Sequence, residues 1–358
     1  MTRKFVLIFV GLVFEINSYS VAQARSTAAE IKNGHVVTEH FTSKTLRDTR
    51  TGLNTNRNIK IYLPPGYAAS SKSYPVVYYC HSIFQGPDQV FADGKMMKLL
   101  EQGFANDIVR EFILVAGDYT SPTTGSLYEN VASTGRWLDY TAEELVPFID
   151  SKFRTLRGAN SRALVGEMMG GRGALQLAMR HPELFSSVYA LNPVGTGTGL
   201  LPIQAYPNWQ KIHQAKSFAD FEGDHISQIF VTMSQAFLPN PDRPPFYCDF
   251  LMELENGQLS YHAENARKQL AGFSLHNVVD EYRDKLKKLN GIAFDWSRYD
   301  PIQDHVYAAE AFSRKLETLG IEHEAEEYRG VYWTENWREN GRFYARVLPF
   351  LARHLVFE

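Results

Sequence analysis

The chain is poor in cysteine, carries no excess of basic charge and has no apolar run long enough to span a bilayer. Each shortage closes off a class of function. Cys80 and Cys248 are the only cysteines in 358 residues, and with no close His cluster they give neither a structural zinc site nor a disulfide framework. Export would permit the two to pair, but Cys80 ends the apolar run Val76-Val77-Tyr78-Tyr79, which favours a buried free thiol. A formal net charge of -3 offers no basic field for a polyanion, so nucleic acid is not an expected partner. The N-terminal apolar run, Phe5 to Phe14, is about half the roughly 20 residues of a spanning helix, so no membrane span is expected.

Arg3 and Lys4 precede that run, and a polar stretch closing in Ala22-Gln23-Ala24 follows it. This three-part layout predicts a secretory signal peptide over 1–24, cleaved after Ala24, and a periplasmic or secreted protein. Residues 25–45 read as a mobile leader. The rest, 46–358, is predicted to form one domain. With 44% hydrophobic and 22% charged residues, the chain has the balance of a globular protein able to bury a substantial core.

Strands are predicted at Ile59–Leu63, Pro75–His81, Phe112–Asp118, Arg162–Glu167, Ser187–Asn192, Ile229–Met233, Gly291–Trp296 and Glu324–Tyr328. Most are continuous apolar runs, as in central strands buried on both faces. Helices are predicted between them at Gly94–Gln102, Trp137–Ser151, Gly171–His181, Ala263–Asn290, His305–Leu319 and Asn340–His354. The alternation implies an α/β fold with a mostly parallel, doubly wound sheet. Residues 195–245 break the pattern with Gly195-Thr196-Gly197-Thr198-Gly199 and a proline-rich stretch, Pro239 to Pro245. An insertion over the C-terminal edge of the sheet, serving as lid or pocket wall, accounts for this; a plain surface excursion does so equally. The glycine repeat runs into Leu200-Leu201-Pro202 with no helix start, so no dinucleotide fingerprint, and no cofactor or metal, is expected.

The most informative stretch is Gly166-Glu167-Met168-Met169-Gly170. Arg162-Ala163-Leu164-Val165 reads as a strand and Gly171-Arg172-Gly173-Ala174 as a helix start, with small residues two before and two after Met168. That is the layout of a nucleophile elbow, in which a sharp turn lifts one side chain above the sheet edge. The position that carries serine in a working elbow carries Met168.

Together with Ile61-Tyr62-Leu63-Pro64-Pro65-Gly66-Tyr67, Gly135-Arg136-Trp137, Glu144 to Asp150 and Arg180-His181-Pro182-Glu183-Leu184-Phe185, the elbow resembles the putative esterase family of the α/β-hydrolase superfamily. That family groups esterase D, enterochelin esterases, feruloyl esterases and mycobacterial mycolyltransferases, and the likeness runs from about Leu46 to the C-terminus. It implies an α/β-hydrolase fold, a small-molecule ester- or acyl-like ligand and a triad of serine, acid and histidine. The acid position matches Asp300. The histidine position, in a turn after the last strand, reads Gly330-Val331-Tyr332, so Tyr332 stands where the base belongs. The oxyanion hole falls to the N–H of Met169 and to the loop His81-Ser82-Ile83, where the family more often has glycine after the histidine.

A thioether has no proton to give up, and its acylsulfonium collapses backwards, so Met168 cannot carry an acyl group. Tyrosine, with an ordinary pKa near 10, is a poor base at neutral pH. His305, close in sequence to Asp300, and Glu167, beside Met168, are the possible substitute bases. The Glu167 side chain is expected to point away from the elbow tip. Ser82 lies in the right loop but shows no base of its own. His181 reads as a helix C-terminal residue. Trp296, Trp333 and Trp337 fall where they could line a pocket for a sugar or an aromatic acyl group.

Two readings follow. One is a pseudoenzyme that binds an ester-, acyl- or sugar-like ligand, or a protein partner, without serine-type turnover. The other is an enzyme that uses Asp300, Tyr332 or His305 for direct water attack, elimination or rearrangement.

Overall fold

The computed structural model describes residues 33–197 and 206–358. The expected signal peptide, residues 25–32 of the expected leader and residues 198–205 of the glycine-rich segment lie outside the described residues.

Eight strands form one sheet: β1 (His35–Thr42), β2 (Asn56–Leu63), β3 (Val76–Cys80), β4 (Ile113–Ala116), β5 (Arg162–Glu167), β6 (Ser187–Leu191), β7 (Gly291–Ser297) and β8 (Glu324–Tyr328). Their order across the sheet is β1-β2-β4-β3-β5-β6-β7-β8. The first two strands are antiparallel, and from β4 onward every neighbouring pair is parallel. The helices that matter below are α1 (Lys95–Ala105), α2 (Val146–Lys152), α3 (Met169–Arg180), α4 (His225–Phe237), α5 (Ala263–Phe273), α6 (Gln303–Thr318), α7 (Tyr332–Trp337) and α8 (Leu348–His354).

Side chains alternate across each strand, so the sheet feeds two cores. Tyr78, Leu164, Val188 and Phe294 pack on one face under α2, α3 and α6. Val77, Val165, Tyr189 and Ala293 pack on the other under α1 and α8. Full burial of each such aliphatic side chain contributes about 1.5–3 kcal/mol. Cys80 and Cys248 are both free buried thiols, the first in a sheet core and the second in a separate cluster with Phe221, Val231 and Phe246. Among the described residues no helix is long and apolar enough to cross a membrane.

Three expectations are corrected. Residues 35–42, placed in the mobile leader, are β1, paired with β2 over its whole length from His35↔Leu63 to Thr42↔Asn56. Ile229–Met233, expected as a strand, lies inside α4, whose N-cap Asp224 accepts the Ser227 N–H at 3.1 Å. The cap and the packing of Val231 and Met233 override a β-branched run. The long helix expected over 263–290 stops at Phe273, where Ser274 Oγ turns to donate to Gly197 O at 2.8 Å. Short helical pieces follow: Leu275–Val278, a 3-10 turn at Val279–Tyr282, and Arg283–Leu286.

Candidate active site

Met168 sits between the end of β5 and the start of α3 at φ 51°, ψ -116°, a region that side-chain-bearing residues avoid unless their surroundings enforce it. The surroundings do. The Met168 N–H donates to Leu191 O at 3.0 Å. A Cβ on Gly166 would lie 2.3 Å from Gly170 O, and one on Gly170 would lie 2.0 Å from Cys80 O. Only glycine lets β3, β5 and the first turn of α3 approach this closely. The elbow frame is therefore intact around a thioether.

Half-buried Met168 packs into an apolar cluster that includes Ile83, Leu127, Met233, Phe237 and Phe273. Met233 and Phe237 come from α4, so part of the excursion expected as a pocket wall stands against the elbow. Arg172, fully buried on α3, ties that wall down: it donates to Phe273 O at 2.9 Å, Gly272 O at 3.1 Å, Leu127 O at 3.2 Å and Glu129 Oε1 at 2.8 Å.

On the other side of Met168 lies a polar cluster. Asn192, at the C-terminal end of β6, donates to Met168 Sδ at 3.4 Å and to Asp300 Oδ2 at 2.9 Å. His305 Nδ1 lies 3.0 Å from the same Asp300 oxygen, and the Ile302 N–H donates to Asp300 Oδ1 at 2.8 Å. Burial pushes the Asp300 carboxyl up, but these bonds outweigh it and hold the group below its ordinary value. Asp300 is thus an ionised acid beside the elbow, and the imidazole it holds comes from five residues along the chain.

The loop after β3 is tied down by two of its three expected residues. His81 is buried; its Nε2 accepts the Tyr119 N–H at 3.1 Å, so its Nδ1 carries the proton and donates to Ser82 O at 2.9 Å. Burial also lowers its pKa. His81 therefore holds the loop and does not face a ligand. The Ser82 N–H donates to Gln85 Oε1 at 3.1 Å and is not free. Among the described residues the N–H groups of Ile83 and Met169 have no acceptor, which leaves these two for an oxyanion.

Glu167 faces α7 and the loop after β3. It accepts from Trp337 Nε1 at 2.9 Å, Asn336 Nδ2 at 3.4 Å and Gln85 Nε2 at 3.5 Å, with no cation among its bonding partners. Burial raises its pKa. Tyr332 opens α7, half-buried; burial first, then the charges of Asp300 and Glu167, push its phenol up to about 12, so it is no base at neutral pH. Trp333 stands exposed at 54%, edge-on to Tyr332 with ring centroids 4.5 Å apart. Trp296, expected in the pocket, is instead buried at 7% and stacked on Phe294 in the sheet core, because its place on β7 faces the helix layer.

Asn192 and Gln85 carry much of the site and were not singled out from sequence. Asn192 has one signal, its place at the carboxyl end of a central parallel strand, where α/β sheets build their sites. An open groove of about 1000 Å³ exists elsewhere, lined by residues such as Pro65, Tyr74, Phe104, Arg110 and Phe357. It lies where β3 and β4 begin, at the far end of the sheet from Met168, and holds no comparable acid and imidazole. The acid and imidazole come together beside the elbow instead. Among the described residues no group of three or more His, Cys, Asp or Glu is placed to hold a metal ion.

Solved structures share this architecture. A ferulic acid esterase matches with a TM-score of 0.62 at 17% identity, over 90% of this chain and 98% of that one. An S-formylglutathione hydrolase from Agrobacterium tumefaciens matches with a TM-score of 0.58 at 15% identity, over 91% and 97%. In sequence, an esterase of Mycobacterium tuberculosis is 30% identical over 139 residues, covering 38% of this chain and 29% of that protein. An uncharacterised protein of Bacillus subtilis is 24% identical over 148 residues. The matches span 56% of the Bacillus protein and under a third of the mycobacterial one. The family described as "Putative esterase" matches residues 51–236, more than half of the chain. The chain belongs to the "Putative esterase" family, on the α/β-hydrolase fold.

Proposed function

We propose that the protein binds a small ester-, acyl- or sugar-like ligand over the elbow and does not pass it through an acyl-enzyme. One observation carries this reading: the strained elbow is kept, yet its tip is a thioether, bonded by Asn192 and packed among Ile83, Met233 and Phe273. A thioether cannot form a stable acyl intermediate. The withdrawal of the Ser82 N–H by Gln85 and the phenol at position 332 point the same way. An apolar wall with a few convergent polar groups is the usual make-up of a small-molecule site. A related fold was solved in complex with ferulic acid and another with sinapinate, which supports an aromatic acyl group as the first ligand to try. A protein partner at the exposed Trp333 rim is compatible with the same reading. The layout of residues 1–24, that of a secretory signal peptide, supports a place for this binding outside the cytoplasm.

Calorimetric titration with methyl ferulate tests the binding, and incubation with a fluorophosphonate probe tests the chemistry. Saturable binding without covalent labelling is expected. Stoichiometric labelling, abolished in Met168→Ala, would sink the proposal. Fractionation of expressing cells, with N-terminal sequencing of the product, tests export and cleavage after Ala24.

A further inference from the structure

We propose that His305, oriented by Asp300, transfers the proton in a serine-free hydrolytic site, activating a water molecule against the carbonyl of an ester held over Met168. The inference rests on the ligand-binding reading above and goes beyond it, from binding to a reaction.

The atoms are arranged for this work. His305 presents Nδ1 to Asp300 Oδ2 at 3.0 Å, while its Nε2 has no partner among the described residues. The side chain keeps 15% of its exposure, so Nε2 is reachable by water. Asp300 is itself fixed by the Ile302 N–H and by Asn192. A carboxylate held in this way requires an N–H from the imidazole it faces, which places the proton of a neutral ring on Nδ1 and leaves the lone pair on Nε2. This is the orientation a general base needs. Asp300 is a positioning residue here and His305 the catalytic one.

The dyad is also in the right place. One amide, that of Asn192, bonds both Asp300 and Met168, so the carboxylate stands two hydrogen bonds from the elbow tip. The free N–H groups of Ile83 and Met169 belong to the residues that pack beside Met168. Asp300 and His305 straddle the start of α6, on the β7 side of the site, whereas Tyr332 opens α7 after β8. The histidine therefore reaches the acid from a different element than the family pattern implies.

The step balances without any further reagent. As the water oxygen bonds to the ester carbonyl carbon, His305 Nε2 takes a water proton and the carbonyl π pair moves onto oxygen, facing the two N–H groups. On collapse the carbon–alkoxy bond breaks, and the alkoxy oxygen leaves as an alcohol with the proton from Nε2. One water is consumed, and one acid and one alcohol are released. Met168 supplies an apolar floor and no competing nucleophile.

The test measures steady-state hydrolysis of p-nitrophenyl acetate and methyl ferulate by the full chain. Saturable turnover with no burst and no mass adduct is expected. His305→Gln should lower kcat by about 100-fold or more with KM little changed. In His305→Ala, added imidazole restores part of the rate, which a purely structural histidine would not show. His181→Gln is the control, since His181 also holds a carboxylate, Glu183, at 2.9 Å but on the surface, and should leave the rate unchanged. Wild-type turnover absent, or equal in His305→Gln, overturns the inference. Failure of methyl ferulate to bind by calorimetry while p-nitrophenyl acetate turns over through His305 overturns the choice of ligand and leaves the inference standing.

Discussion

The Asn192 side-chain amide lies 2.9 Å from Asp300 Oδ2 and donates to it. Its other N–H contact is the Met168 sulfur, and its carbonyl accepts the Ser297 N–H at 2.7 Å. One fully buried amide thus joins β6, the elbow and the loop after β7.

Asn192→Asp probes that junction. Aspartate keeps the shape, keeps an acceptor for Ser297 and tolerates the positive φ of 47° at this position. It also replaces a donor to Asp300 by a second carboxylate. A loss of about 1–3 kcal/mol is expected at neutral pH, measured by urea unfolding. The loss shrinks on acidification, because one of two adjacent carboxyls then takes up a proton. A deficit that stays constant from pH 4 to pH 8 would show that charge repulsion is not its cause.

Arg172→Met removes the clip between the elbow helix and the excursion. Arg172 satisfies three backbone carbonyls and Glu129, and its guanidinium lies 5.3 Å from the centroids of both Phe237 and Phe273. Methionine fills much of the volume but leaves those acceptors unpaired, so about 3–5 kcal/mol of stability is expected to go. Hydrogen exchange is expected to quicken in α4 and α5 before it does in the sheet. Uniform acceleration across the whole chain would argue that Arg172 supports the core in general and the site wall only incidentally.

These two residues mark where sequence reading stops. The parallel strands were legible because burial on both faces makes them near-continuous apolar runs, and Gly166 and Gly170 flagged the elbow because nothing larger fits there. β1 was not legible: His-Val-Val-Thr-Glu-His-Phe-Thr has one half-exposed face and reads as a polar leader until β2 pairs with it. Ile229–Met233 misled because its β-branched run masked a local signal, the Asp224 cap on Ser227, and because the packing that holds it helical is not local. Asp300 and His305 are near neighbours in sequence, so their contact was within reach. Asn192 meets Asp300 across more than 100 residues, and no local pattern encodes such a contact.

Glu167→Gln is expected to change how stability depends on pH. The Glu167 carboxyl is buried against Trp337, Asn336 and Gln85 with no cation among its bonds, and its pKa is raised. A raised acid means that the folded state holds its proton at a pH where the unfolded chain has lost it. Its contribution is therefore most favourable below the ordinary glutamate value and declines as pH rises through the raised one. The difference between wild type and Glu167→Gln should consequently move in favour of the variant as pH rises from 4 toward 8. Urea midpoints across that range measure it, and parallel curves would mean that Glu167 titrates as an ordinary carboxyl.

Met168→Ser with Tyr332→His asks whether the remaining frame still supports acyl transfer. The elbow turn, Asp300 and the N–H groups of Ile83 and Met169 are in place, but Tyr332, pushed up to about 12, cannot act as a base. Met168→Ser alone supplies a hydroxyl, and among the described residues the imidazole on Asp300 is that of His305. If His305 reaches it, the single variant already reacts with a fluorophosphonate probe. If it does not, labelling awaits Tyr332→His, and the double variant is expected to exceed the single one by about 100-fold or more in kcat/KM for p-nitrophenyl acetate. Adding His305→Gln to the double variant separates the cases. A base at position 332 then shares Asp300 Oδ2 with Asn192 alone, and the rate holds or rises. Loss of the rate would instead mean that His305 is the base for serine as well as for water, and that Asp300 serves the helix that follows it and not the turn after β8.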